Sequence, residues 1–166
     1  MDNKTLRLDQ DTDWGAVGWA GLISSIFFLV GGSLAGSSSG GTPLTFLKII
    51  SSMVLGTRPL LEDNLSLLSI VVGVVTHLIV SFAVTAVIAL VLHRWGILVG
   101  VFGGAILGLC FYYINFFSLA DWFFPAMEGL RSVGMAFVHV LFGALAGGLY
   151  EIFEDEIYEQ GEWIDD

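Results

Sequence analysis

Four stretches of this chain run for about 20 residues or more with almost no charge: Trp14–Leu34, Ser66–Leu92, Ile97–Phe117 and Val133–Ile152. The fourth meets its first acid, Glu151, only at its end. A helix rises ~1.5 Å per residue and the hydrocarbon of a bilayer is ~30 Å thick, so each stretch is long enough to span. Open strands would leave backbone groups unpaired in lipid, which makes helices the expected form. A fifth apolar stretch, Thr42–Leu55, is too short to cross. Thr42 is placed to cap it, Pro43 to occupy its first position and Gly56 to end it. Lys48 would reach back to water, as expected of an interfacial or re-entrant helix. The expected fold is therefore all-α and integral to a membrane: an antiparallel bundle of four transmembrane helices with one short interfacial or re-entrant helix. Residues 14–152 form the membrane domain, flanked by acidic tails at 1–13 and 153–166. The first span does not read as a cleavable leader, because residues 1–13 carry four aspartates and the apolar run is too long.

The charge inventory removes several alternatives. Only 13% of residues are charged, about half the share of a soluble domain. Sixteen acids against six bases give a net charge of −10, the wrong sign for a nucleic-acid binder. Cys110 is the only cysteine, so no disulfide framework exists. It reads as a small packing residue. An even number of spans puts both termini on one side, with the tight connection His93–Gly96. Lys4, Arg7 and Arg94 on that side balance Lys48, Arg58 and Arg131 on the other, so the positive-inside rule gives no majority. The shortness of the Arg94 loop favours cytoplasmic termini. The terminal side carries 12 of the 16 acids. Such a face attracts basic protein partners and repels anionic headgroups. Ile157, Trp163 and Ile164 interleave with these acids and are expected to dock a partner. Helix four is expected to continue as an acidic helix to about Gln160.

Inside the spans, small residues recur every fourth position. Gly96, Gly100, Gly104 and Gly108 form one row, and Gly143 and Gly147 another, with His139 one step before Gly143. Lipid does not drive helices together, so such glycine zippers read as packing faces, against a neighbouring helix or a neighbouring subunit. The second span carries Gly73, His77, Ser81, Thr85, Ala89 and His93 at the same spacing. Polar groups facing hydrocarbon are costly, so these rows are expected to face protein. His93, beside Arg94 and Trp95, has the pattern of a headgroup-level anchor.

The ionisable groups within the spans are His77 and His139, accompanied by Ser81 and Asn115. Carriers coupled to protons or sodium generally use intramembrane carboxylates or broken helices, and neither is visible. One reading makes the two histidines an axial pair on a b-type haem, with small residues clearing room for the ring. The other has each histidine hydrogen-bond a neighbouring hydroxyl or amide. The segment Gly36–Gly40 matches the nucleophile-elbow pattern G-x-S-x-G at Ser38. It lacks the preceding strand, and Gly36–Gly41 reads as a flexible linker. Neither a catalytic nor a metal-binding constellation is expected, and no cofactor beyond the haem alternative.

Gly40-Gly41-Thr42-Pro43-Leu44, His77-Leu-Ile-Val-Ser81, Tyr113-Ile-Asn115-Phe116 and His139-Val-Leu-Phe-Gly143 together resemble an uncharacterised family of small bacterial proteins with four transmembrane helices. The resemblance covers roughly residues 14–152. It implies the same helix count and an inner-membrane location, and it adds no chemistry. Size, zippers and acidic tails point to a non-catalytic accessory subunit of a larger membrane complex, respiratory or otherwise energy-transducing. The partners expected are membrane lipid and other membrane subunits. Alternatives are a haem protein in electron transfer and a small oligomeric transporter or channel.

Overall fold

The computed structural model describes residues 12–38 and 40–154. Ile157, Trp163, Ile164 and most of both acidic tails lie outside the described residues. The described residues are helical, without strands. They include four helices long and apolar enough to cross a membrane. These are α1 (Trp14–Ser38), α4 (Leu67–Leu92), α5 (Ile97–Ile114, continued to Trp122) and α7 (Val133–Phe153). Between α1 and α4 lie two short helices, α2 (Thr45–Leu55) and α3 (Arg58–Leu61). Beyond α5 come a π-helical turn at Asn115–Leu119, a single turn α6 (Ala120–Trp122) and a 3₁₀ helix at Pro125–Leu130.

Short polar side chains start most of the long helices. The Asp13 carboxylate accepts from the Gly15 and Ala16 amides at 2.8 and 3.0 Å. Ser66 accepts from the Ser69 amide at 3.2 Å, and Ser132 from the Met135 amide at 3.1 Å. Each satisfies donors that a helix start leaves orphaned. The α4–α5 connection turns on Arg94 and Gly96, both at positive φ.

Several boundaries differ from expectation. Helix α1 runs through Gly36 to Ser38, where a flexible linker was expected. Its last hydroxyls, Ser37 and Ser38, bond back to the Ser33 and Ala35 carbonyls, and Gly36 packs beside Phe46 and Leu130. Thr42 and Pro43 do not start α2. They form the turn before it, held by the Thr45 hydroxyl accepting from the Thr42 amide at 2.8 Å. Gly56 ends α2 at φ 68°, as its type allows. The third span does not stop at Phe117, since the π-helical turn carries it to Trp122. Helix α7 ends at Phe153 with Glu154 extended, and the rest of the continuation expected to Gln160 lies outside the described residues.

The closest helix pairing is α5 on α7; α1 packs on α7 and α4, and α2 on α4. The interior combines an apolar core around Phe28, Phe46, Phe116 and Phe142 with buried polar groups, and the outer surface is apolar. Ser24, Ser25, Ser51, Ser69, His77, Ser81, Thr85 and His139 are all buried. Leu98, Phe102, Ile106 and Phe137 are exposed. Lys48, expected to reach water, instead donates to the Glu62 carbonyl and ties α2 to the chain entering α4.

The Glu62 carboxylate gathers that entry. It accepts from the Ser66 amide at 2.8 Å and from the Ser66 and Ser69 hydroxyls at 3.0 and 3.1 Å, with Arg58 at 3.7 Å. The Ser66 amide is the largest cause holding Glu62 below the usual carboxylate range, helped by both hydroxyls and Arg58. A depressed folded pKa contributes stability above the unfolded value and loses it as pH falls through the folded one. Protection of the Ser66–Ile70 amides, relative to their intrinsic exchange, should therefore fall below the ordinary carboxylate range of about pH 4. Glu62→Gln should remove that acid-dependent step. An acid step of equal size in the variant would locate the titrating group elsewhere.

Candidate functional site

The glycine rows are used within the chain. A Cβ added at Gly104 would overlap the Gly143 carbonyl, one at Gly100 the Gly147 carbonyl at 2.7 Å, and one at Gly108 the His139 carbonyl. The reverse holds too: a Cβ at Gly143 or Gly147 would overlap the Gly104 or Gly100 carbonyl. Gly96 stands apart from this face. It caps α5 at φ 84°, and its amide donates to the Glu151 carboxylate at 2.9 Å.

This tight α5–α7 seam positions the polar interior beside it. In the neutral ring, His139 Nδ1–H donates to the Met135 carbonyl at 2.9 Å, one turn back on α7. Its Nε2 is then an acceptor, and the Asn115 amide nitrogen faces it at 3.4 Å. Asn115 opens the π-helical turn. The Phe116 carbonyl in that turn accepts instead from Arg131, whose guanidinium also pairs with Asp121 at 2.8 Å and lies over the Phe117 ring. A π-turn inside an α-helix often marks a functional position. Here it carries one polar side chain to the seam.

His77 sits on α4. Its Nε2–H donates to the Ser25 carbonyl of α1 at 2.9 Å. Between the two imidazoles lies Phe28, with ring centroids 5.4 Å from His77 and 4.7 Å from His139. Phe46 of α2 closes the His77 side at 5.5 Å, and Tyr112 and Phe116 close the His139 side at 5.5 and 5.6 Å. His77, Ser81, Asn115 and His139 line one cavity of ≈ 130 Å³ with these aromatic walls. Sequence spacing singled out all four polar residues. It carried no signal for Phe28 or Phe46, because an apolar residue on an apolar helix has no distinguishing neighbour.

The arrangement does not fit a haem held by His77 and His139. Phe28 fills the space a macrocycle would need, and His77 Nε2 is committed to a backbone carbonyl. Both histidines are hydrogen-bonded, but to the Ser25 and Met135 carbonyls rather than to hydroxyls, with Asn115 the one side-chain amide facing His139. Among the described residues no group of three His, Cys, Asp or Glu side chains could hold a metal ion. Ser38 is engaged with the Ala35 carbonyl at the end of a helix, not on an elbow.

A second polar cluster gathers at the opposite end of α4. His93 Nδ1 lies 2.8 Å from the Tyr150 hydroxyl and 2.7 Å from the Glu154 carboxylate. His93, expected as a headgroup anchor, thus joins the α4 terminus to α7. Its partners were not foreseen, because they lie 57 and 61 residues away along the chain.

No family model, no curated protein and no solved structure matches the chain.

Proposed function

We propose that the chain is an integral membrane protein, an antiparallel four-helix bundle held by a glycine zipper, that serves as a non-catalytic accessory subunit of a larger membrane complex. The observation that carries the membrane part is the apolar outer surface. Hydroxyls and imidazoles such as Ser24, Ser81, Thr85, His77 and His139 are buried beside an apolar core, while many large apolar side chains, Leu98, Phe102, Ile106 and Phe137 among them, face outward along four helices long enough to span. A water-soluble bundle does not expose apolar surface on that scale. The accessory role follows from what the interior groups do. His77 bonds the Ser25 carbonyl and so ties α4 to α1, while His139 bonds the Met135 carbonyl one turn back on its own helix; both serve the packing of the bundle in this reading. The acid-rich terminal side then supplies a face for a basic protein partner, with Ile157, Trp163 and Ile164 as its apolar contacts.

Topology follows from the same proposal. With Cys110 replaced by alanine, single cysteines at Trp95 and Glu128 should label from opposite sides of the membrane, Trp95 from the inner-membrane cytoplasmic face. Labelling of both from one side would refute four antiparallel crossings.

Mass spectrometry of the gently solubilised protein tests the accessory role. Other membrane subunits should co-purify at fixed stoichiometry, and truncation after Ile157 should weaken their association. A species containing only copies of this chain would favour the oligomeric transporter or channel instead.

A further inference from the structure

From the cavity beside α4 we infer a binding site for an uncharged, ring-bearing amphiphile that enters from the lipid and carries a hydroxyl or carbonyl on its ring. This goes beyond the accessory role and does not depend on a protein partner.

Three features of the cavity select that class. The first is size and wall chemistry. A volume of ≈ 130 Å³ is close to the roughly 150 Å³ apolar cavity that accepts one benzene ring. Phe28, Phe46 and Phe116 offer ring faces and edges, which favour an aromatic or quinonoid guest over a bare alkyl chain.

The second feature is the polar set. His77 has given its Nε2–H to Ser25, so its Nδ1 presents a lone pair. The Asn115 carbonyl oxygen and the Ser81 hydroxyl make no hydrogen bond among the described residues, and both residues line the cavity. The Asn115 amide keeps one N–H beyond the one aimed at His139. Donors and acceptors are therefore both on offer, which suits a hydroxyl or a carbonyl. No Lys, Arg, Asp or Glu lines the cavity. A carboxylate or phosphate would be buried there without a counter-charge, which is strongly unfavourable.

The third feature is access. Val80, a lining residue, is 40% exposed on the outer surface of α4, and Val84 and Phe111 beside it are half-buried. An alkyl tail leaves over this rim into hydrocarbon while the ring stays within.

The probes are 4-octylphenol, octylbenzene and 4-octylbenzoate at neutral pH. Their binding to the full chain in lipid nanodiscs is measured by calorimetry, with empty nanodiscs subtracted. The phenol should bind saturably at one site per chain, about tenfold tighter than octylbenzene, the factor that one good net hydrogen bond supplies. The benzoate should bind no better than octylbenzene. Ser81→Ala should weaken phenol binding severalfold and leave octylbenzene unchanged. Val84→Trp, at the partly exposed rim, leaves the polar set intact and should block all three probes. Absence of saturable phenol binding, equal affinity for phenol and octylbenzene, or phenol binding that survives Val84→Trp would each overturn the assignment.

Discussion

Gly104→Leu should prevent recovery of a monodisperse folded protein, whereas Phe102→Leu, two residues away, should behave as wild type. The contrast rests on what each position faces. A Cβ at Gly104 would overlap the Gly143 carbonyl oxygen. The obstacle is backbone, which cannot rotate aside as a side chain does. Overpacking against side chains costs ~1–3 kcal/mol, and a backbone clash repeated by the leucine branches should reach or exceed the upper end. Helices α5 and α7 would have to separate, taking the Asn115–His139 contact with them. Phe102 is 68% exposed on the outer face of α5. Size-exclusion profiles and detergent resistance of the two variants provide the check. A Gly104→Leu protein as stable as wild type would mean that α5 and α7 do not meet through these glycines.

Phe28→Ala is expected to be the most damaging side-chain truncation in the interior. Phe28 meets Phe46, His77, His139 and Phe142 at ring-centroid distances of 5.9, 5.4, 4.7 and 5.4 Å, so it joins α1, α2, α4 and α7 at once. Truncating a buried Phe costs ~3–5 kcal/mol in water-soluble cores, part transfer and part cavity. In a membrane the separated helices are already in apolar surroundings, so the cavity part dominates and the loss should fall near the lower end of that range. Unfolding by denaturing detergent measures it. A midpoint unchanged from wild type would mean that the bundle closes around the gap, or that Phe28 is not at its centre.

Most of the architecture can be read from the chain before any coordinates, and the reason is physical. A membrane helix must be long, uncharged and hydrogen-bonded within itself, so its presence is written in local composition. The small-residue rows were legible for the same reason, because four-residue spacing marks a helix face. What spacing does not encode is which face meets which. Gly104 carries no mark that names Gly143 as its neighbour, and the choice between an intrachain and an intersubunit seam needed the coordinates. Helix ends were less legible where local rules compete. Gly36-Ser37-Ser38 has linker composition, yet the serines bond to carbonyls behind them and the helix goes on. At the candidate site, the polar residues stood out because polarity is rare in these spans. Phe28 and Glu62 did not, since one is an ordinary apolar residue and the other an ordinary loop acid until their partners are known.

The α5–α7 seam has one further property, which concerns alignment. A row that repeats every four residues matches itself after a slide of four residues, about 6 Å along the axis. Gly104 against Gly147, and Gly108 against Gly143, would be nearly as comfortable as the pairs observed. The seam therefore supplies closeness without choosing a register, like a ruler with unnumbered ticks. The numbering comes from its two ends. At one, the Gly96 amide meets the Glu151 carboxylate at 2.9 Å, and at the other, Asn115 faces His139 at 3.4 Å. A slide of one notch in either direction would break both. Two polar contacts at opposite ends of an apolar seam thus act as index marks, and their value lies in excluding the neighbouring alignments rather than in the energy of the bonds themselves.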